Sequence, residues 1–275
     1  MSIIMLNSQP YSGGKDIAIM LSAKIGYKNI GEEIYELTAR HYNVPINKIK
    51  NALYDAPSLF SMMWQKRQKY IIYYHATLLS QLVQDNLIYY GYPGHILVQG
   101  ISHVLKVYIS ADITDRARRK SNTEGTSDTY ALKELVREDK KHKQLLHIYL
   151  NADDTNPAHY DMVLNTSQMT MEDAANYIAE SVANKRFQSM TYSTGLVKKL
   201  DLTFRIKAAI IHIDANIDVK IEEDNVIINT KVSREKEKEK RAMLIQEILK
   251  NFEEIKTCDI VTEVDYFSSL SSSLR

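Results

Sequence analysis

The apolar positions of the chain change period as it proceeds, and those changes mark out its elements. The run "SIIML" (2–6) is almost continuously apolar, as in a strand buried on both faces. Directly after it, "GGKDIAIMLSAKIG" spaces its apolar residues three and four apart and ends on Gly26, which predicts a helix with a glycine stop. "NIGEEIYELTARHY" and "PINKIKNALYD" carry the same helical period, and Ser61 to Asn86, poor in breakers, reads as one long helix. Buried strands are expected at "HILVQG" and "VLKVYIS". A basic stretch, "TDRARRK", a breaker-rich "SNTEGTSD" and a charged helix from about Tyr130 to His147 come next. "YDMVLNTS" reads as a further strand and "MTMEDAANYIAESVA" as a helix. Strands alternating with helices predict a three-layer α/β/α domain with a parallel sheet.

The pattern shifts near "FQSMTYSTGLVKKL". Beyond it the expected order is a helix (201–213), the strands "IDVKIEE" and "NVIINTKV", a charged helix (233–252) and the strand "CDIVTEV", an αββαβ order fit for a small α+β domain. Asp224-Asn225 supplies a hairpin turn between the first two strands. The expected division is therefore 1–195, 200–265 and a disordered tail, 266–275, ending in "FSSLSSSLR".

Composition narrows the classes. With 35 Lys and Arg against 34 Asp and Glu, the net charge of +1 offers no global attraction to nucleic acid or an anionic membrane. "SREKEKEKR" is read as a solvated helix face. One cysteine, Cys258, excludes internal disulfides and thiolate clusters and fits a reducing compartment. No apolar run approaches the about 20 residues of a bilayer span, and the start resembles no secretory signal, so a cytoplasmic protein, not an integral membrane one, is expected. Tyr70, Tyr73, Tyr74, Tyr89, Tyr90 and Tyr92, from 18 tyrosines in all, crowd one region and are read as half-buried packing.

The stretch "NSQPYSGGKDIAIML" joins the first strand to the first helix. Glycines let backbone N–H groups turn inward around oxygen atoms, the helix N-terminus favours an anion, and a lysine neutralises it. "YSGGKDIA" has these parts, yet Gln9 and Asp16 depart from the common phosphate-loop pattern, and alone it fits a tight turn equally well. His95 in "GYPGHILV" could contact phosphate or acceptor, or cap and pack. No metal-ligand spacing and no G-x-S-x-G elbow is present.

Collinear stretches carry a resemblance. "SGGKDIA" (12–18), "LSAKIGYKNIGEEI", "DNLIYYGYPGHILVQGISHVLKVYISADITDRARR" (85–119), "DDTNPAHYDMVLNTSQMTMEDAANYI" (153–178) and "RFQSM" resemble the cytidylate kinase-like family of P-loop nucleoside monophosphate kinases. The resemblance implies transfer of phosphate from ATP, with Mg²⁺, to CMP, dCMP or a related small acceptor. It implies donor-phosphate contacts from Ser12, Gly13, Gly14, Lys15 and Asp16, and a mobile lid bearing Arg116 and Arg119 that Arg137, Lys141 and Lys143 extend. The lid cations also fit a solvated helix face. Asp161 would lie near the nucleotide pocket, or serve as a strand-end turn residue. The region 201–264 is similar to a BON domain, which implies a ligand, lipid or protein partner. Three departures stand out: Tyr11 replaces a loop glycine, "QGI" (99–101) stands where Gly-Arg-Gly is expected, and His142 and lysines replace lid arginines. Lysine lacks the planar two-point grip of arginine on phosphate. The functions left open are a kinase acting on nucleotides and a catalytically degenerate nucleotide-binding regulator with the BON-like region as its output or anchoring module; a purely structural scaffold fits less well, because the glycine loop and lid cations survive.

Overall fold

The computed structural model describes residues 2–55, 61–91, 94–150, 153–214, 216–223 and 225–264, without the side chains of 61–66 and 147–150. Asp224, the tail 266–275 and Tyr92 lie outside the described residues. Internal packing divides the chain into two compact units, residues 1–57 with 80–197 and residues 58–79 with 198–275.

The first unit is built on a five-stranded sheet in the order β2-β3-β1-β4-β5, every pair parallel. Its strands are β1 (Ile3–Ser8), β2 (Lys28–Ile30), β3 (Leu87–Tyr90), β4 (Val104–Ser110) and β5 (Met162–Asn165). Ile3 to Leu6 are buried on both faces of the central strand, so no period-2 alternation survives there. Ile4 and Leu6 meet Ile17, Ala18 and Leu21 of α1 (Gly14–Ile25) and Ala174, Ala175 and Ile178 of α7 (Met171–Val182) in one core. Thr170 and Asp173 fix the start of α7 by a reciprocal capping box. Between these come α2 (Glu33–Tyr42), α3 (Ile46–Tyr54), α4 (Ser61–Leu82), α5 (Ile113–Glu124) and α6 (Asp128–Leu150).

Three local expectations are corrected. "HILVQG" is not a strand: Gly94–Val98 forms a short 3₁₀ turn, and the pairing strand is the tyrosine-bearing "LIYY" of β3 before it. The long helix stops at Leu82 because Asp85 and Asn86 adopt left-handed φ of 59° and 49° and turn the chain into that strand. The basic and breaker-rich stretches are mostly one helix, α5, which ends at Gly125 in the left-handed region (φ 68°).

The second unit holds a separate three-stranded sheet of β6 (Asp218–Glu222), β7 (Asn225–Val232) and β8 (Thr257–Val264). β6 pairs antiparallel and β8 parallel with β7. Its core joins Ile206 and Ile210 of α8 (Thr191–Ile210) to Val219, Val226 and Ile228 of the sheet and Ile245 and Leu249 of α9 (Lys238–Leu249). α8 begins ten residues before the expected 201, within the stretch read as a boundary.

Candidate active site

The loop between β1 and α1 turns on two glycines, one held by its backbone angle and the other by a close neighbour. Gly13 has φ 89°, and a Cβ there would stand 2.5 Å from the Met171 Cε. At Gly14 a Cβ would fall 2.4 Å from the Ser8 Oγ. Tyr11 also occupies the left-handed region, with φ 62°. Its ring holds that position by packing on Ala117, Ala131 and Leu135, under the Lys120 ammonium and with its hydroxyl donating to Glu124. The substituted position therefore keeps a glycine-like backbone, anchored outward to α5 and α6.

α1 opens without a side-chain cap, and its first internal bond runs from the Ile17 N–H to the Gly13 carbonyl at 3.0 Å. The amides at its start are the orphan donors of any helix N-terminus, and they favour an anion. Lys15 is exposed in the first turn and lines a hollow of about 420 Å³. Asp16 is exposed beside it. Ser12 plays a different part: it is fully buried, and its hydroxyl donates to the Gln9 carbonyl at 2.8 Å, which closes the loop on itself.

Next to this hollow, and sharing Gly31, Glu32, Tyr35, Lys50 and Tyr90 with it, lies a cavity of about 510 Å³. The end of β1 (Asn7, Ser8) and Pro10 form its floor, α2 and α3 give Tyr35 and Tyr54, and α6 gives Glu138, Lys141, His142 and Leu145. The Tyr35 and Tyr54 hydroxyls lie 2.8 Å apart. Both hollows open at the carboxyl ends of parallel strands, where ligands of such sheets bind.

The remaining site expectations fall elsewhere. Arg116 is almost fully buried and grips Asp139 of α6 through both terminal guanidinium nitrogens at 2.8–2.9 Å. Burial presses its pKa down, while the Asp139 charge opposes the shift. Arg119 donates to the Tyr11 carbonyl at 3.3 Å and to the Thr166 hydroxyl and carbonyl at 3.0 Å. Neither arginine lines the cavity; one locks α5 to α6 and the other braces the loop. Arg137 is exposed on α6 and is not a wall residue.

Asp161 accepts from the Lys106 amide at 3.0 Å and pairs with its ammonium at 2.8 Å, level with the start of β4. The loop leaves the sheet level with Ile109, three residues further, or about 10 Å along the strand. Asp161 is thus a brace at the amino end of the strands, opposite the loop, and lines neither hollow. His95 is buried against the Tyr160 ring (4.5 Å between centroids), with neither ring nitrogen hydrogen-bonded. Burial pushes it down to about 4, so it is a neutral packing histidine.

A model of the cytidylate kinase-like family matches residues 3–168, well over half of the chain. The chain belongs to the cytidylate kinase-like family. It is 25% identical over 187 residues to the cytidylate kinase of Sulfolobus acidocaldarius, covering 68% of this chain and 97% of that protein. Among solved structures, an uncharacterized protein from Eubacterium ventriosum superposes with a TM-score of 0.51 at 14% identity, covering 67% of this chain and all of the other.

As a cytidylate kinase-like chain it departs from the expected pattern at a different place than "QGI". Because the strand is β3, the residues that follow it are Gly91, Tyr92 and Pro93, again without an arginine. Gln99 instead donates to the His159 carbonyl at 3.2 Å and is not a cavity residue. Sequence reading also missed Asn7, Asp154 and Tyr160, which meet beneath the cavity floor. The one signal was a polar Asn7 closing an otherwise apolar strand.

Proposed function

We propose that the first unit binds a nucleoside triphosphate at the β1–α1 loop and transfers its γ-phosphoryl group to a small cytidine-type acceptor seated in the 510 Å³ cavity. One observation carries this reading: an uncapped helix start with a left-handed Gly13, a crowded Gly14 and an exposed Lys15 adjoins a tyrosine-walled cavity. ATP fits this loop, since amide donors and a cation are what its phosphates need. Mg²⁺ is bound chiefly through phosphate oxygens and waters, so it asks little of the protein, and no cluster of three or more His, Cys, Asp or Glu is found among the described residues. When bound, it neutralises charge on the donor phosphates.

A second reading, a nucleotide-binding regulator without turnover, is favoured by the engagement of Arg116 and Arg119 in internal contacts. Within either reading, residues 1–195 serve as the nucleotide-binding domain and 200–265 as a BON-like module for a ligand, lipid or protein, supported by the αββαβ order of its elements. No helix among the described residues is long and apolar enough to cross a membrane, and a cytoplasmic site of action is part of the proposal.

The test is thermal unfolding with Mg-ATP for the parent and Lys15→Ala. The parent gains up to about 2.7 kcal/mol at a hundredfold excess over Kd. The variant, altered at an exposed residue, keeps its ligand-free midpoint within about 0.5 kcal/mol and loses that gain. Equal ATP stabilisation in both proteins defeats the donor-site reading.

A further inference from the structure

We infer that the acceptor of this cavity is a neutral alcohol carrying a planar ring, of the nucleoside class, and that His142 is the base that takes its proton. The inference rests on the donor reading above and settles what stands opposite the donor.

His142 projects from α6 into the cavity wall. Its Nε2 lies 2.7 Å from the Oδ2 of Asp154, whose side chain is only 4% exposed. The same oxygen accepts from the Asn7 amide at 3.2 Å, and that amide also donates to the Tyr160 hydroxyl at 2.7 Å. Asn7 is fixed in turn, its Oδ1 accepting from the Ser8 N–H at 3.0 Å. A carboxylate only accepts, so Nε2 carries the proton and Nδ1 is the basic nitrogen. The groups around Asp154 leave this pairing intact: burial keeps His95 neutral, and burial raises the Tyr108 and Tyr160 phenols far out of reach of ionisation. Imidazole backed by a buried carboxylate is the arrangement that orients a general base and stabilises it once protonated.

The charges of the wall agree. Among the described residues, two lysines and two glutamates line the cavity and no arginine does. Lys50 lies 3.6 Å from Glu32, and Lys141 lies 3.5 Å from Asp55. A phosphate dianion would lose its water here without a two-point clamp to replace it. A monophosphate oxygen is moreover already an anion and needs no base, whereas a hydroxyl does. Tyr35, Tyr54 and Tyr90 offer ring faces and hydroxyls to a base or sugar.

In the step, the acceptor hydroxyl oxygen attacks the γ-phosphorus of the nucleoside triphosphate. The new P–O bond forms as the bond to the β–γ bridging oxygen breaks, the nucleoside diphosphate leaves with that electron pair, and the hydroxyl proton passes to His142 Nδ1.

The experiment measures ADP release and phosphorylated product by the full chain with Mg-ATP, using cytidine, deoxycytidine, other nucleosides, CMP and dCMP, for the parent, His142→Gln and Asp154→Asn. A nucleoside is expected to show the higher kcat/KM. His142→Gln lowers its kcat by about a hundredfold or more with KM little changed. Asp154→Asn is followed by its midpoint of unfolding; His142, half-exposed, tests the base even if the buried variant fails to fold. Higher kcat/KM for CMP or dCMP, an unchanged kcat in His142→Gln, or no nucleoside turnover in a protein that ATP still stabilises overturns the inference. Absence of ATP stabilisation in the parent defeats the donor reading instead.

Discussion

At the scale of single residues, Tyr11 and His95 show how an identity that reads as functional, or as a defect, is decided by its neighbours. Tyr11 sits at φ 62°, a region that costs a side-chain-bearing residue about 1–2 kcal/mol. Its ring contacts with α5 and α6, and the Lys120 ammonium above it, offset that strain. Burial works against the Lys120 charge, yet the hydrogen bond to Glu124 and the Glu138 charge hold its pKa above the ordinary lysine range. His95 gives a pH prediction. Its folded pKa is about 4, against about 6.5 in the unfolded chain. Between those values the unfolded chain binds the proton and the folded one does not, so stability falls as pH drops from 6.5 toward 4. At pH 5 the loss from this residue relative to pH 7 is about 2 kcal/mol. His95→Leu, which removes two buried nitrogens without partners, is expected to stay within about 1 kcal/mol of the parent at pH 7 and to lose less stability at pH 5. Urea unfolding at both pH values checks this, and parallel curves for the two proteins would refute it.

At the scale of elements, the pairing of α5 with α6 depends on a charge that sequence reading gave to the nucleotide. Arg116 and Asp139 are 23 residues apart and form a two-point bridge with the arginine side chain 1% exposed. Removing one partner of a buried pair costs about 3–5 kcal/mol, while replacing both with apolar residues is often neutral. Arg116→Met is therefore expected to destabilise by about 3 kcal/mol, the low end because Asp139 is partly exposed, and Arg116→Met with Asp139→Leu to recover most of it. Both proteins, where folded, keep their stabilisation by Mg-ATP. A loss of that stabilisation with no change in the ligand-free midpoint would return Arg116 to the nucleotide. The same contrast explains what was legible. Helices α1 to α3 and α7, and strands β1 and β4, declare themselves by period because each buries one continuous stripe or run. β2 has three residues and β3 four, so neither reaches the length of a clear strand signal. The glycine loop was readable because the positive φ of Gly13 and the approach of Ser8 to Gly14 are local needs; the roles of Arg116, Arg119 and Asp161 were not, because each is set by a partner distant in the chain or across the sheet.

At the scale of the whole molecule, the second compact unit is discontinuous: residues 58–79 pack with 198–275, although the linear pattern assigned the long helix to the first domain. α4 places Tyr73, Tyr74, Leu78 and Leu79 among the buried side chains, and His75 stands edge-on to Phe204 of α8 at 5.5 Å. Burial first, and then the Lys207 charge, push His75 down to about 4, so a neutral histidine belongs to this packing. A fragment of residues 201–264 keeps the three-stranded sheet and its own cluster but loses α4. Each large side chain deprived of its neighbours in a core costs about 2–5 kcal/mol, and a unit of this size has about 3–5 kcal/mol in total. The fragment alone is expected to unfold without a cooperative transition, and to regain one when residues 58–79 are joined to it through a flexible linker. Circular dichroism during urea titration distinguishes the cases. A sharp transition in the bare fragment, with a midpoint equal to that of the joined form, would show that the αββαβ element stands by itself and that α4 adds nothing to its stability.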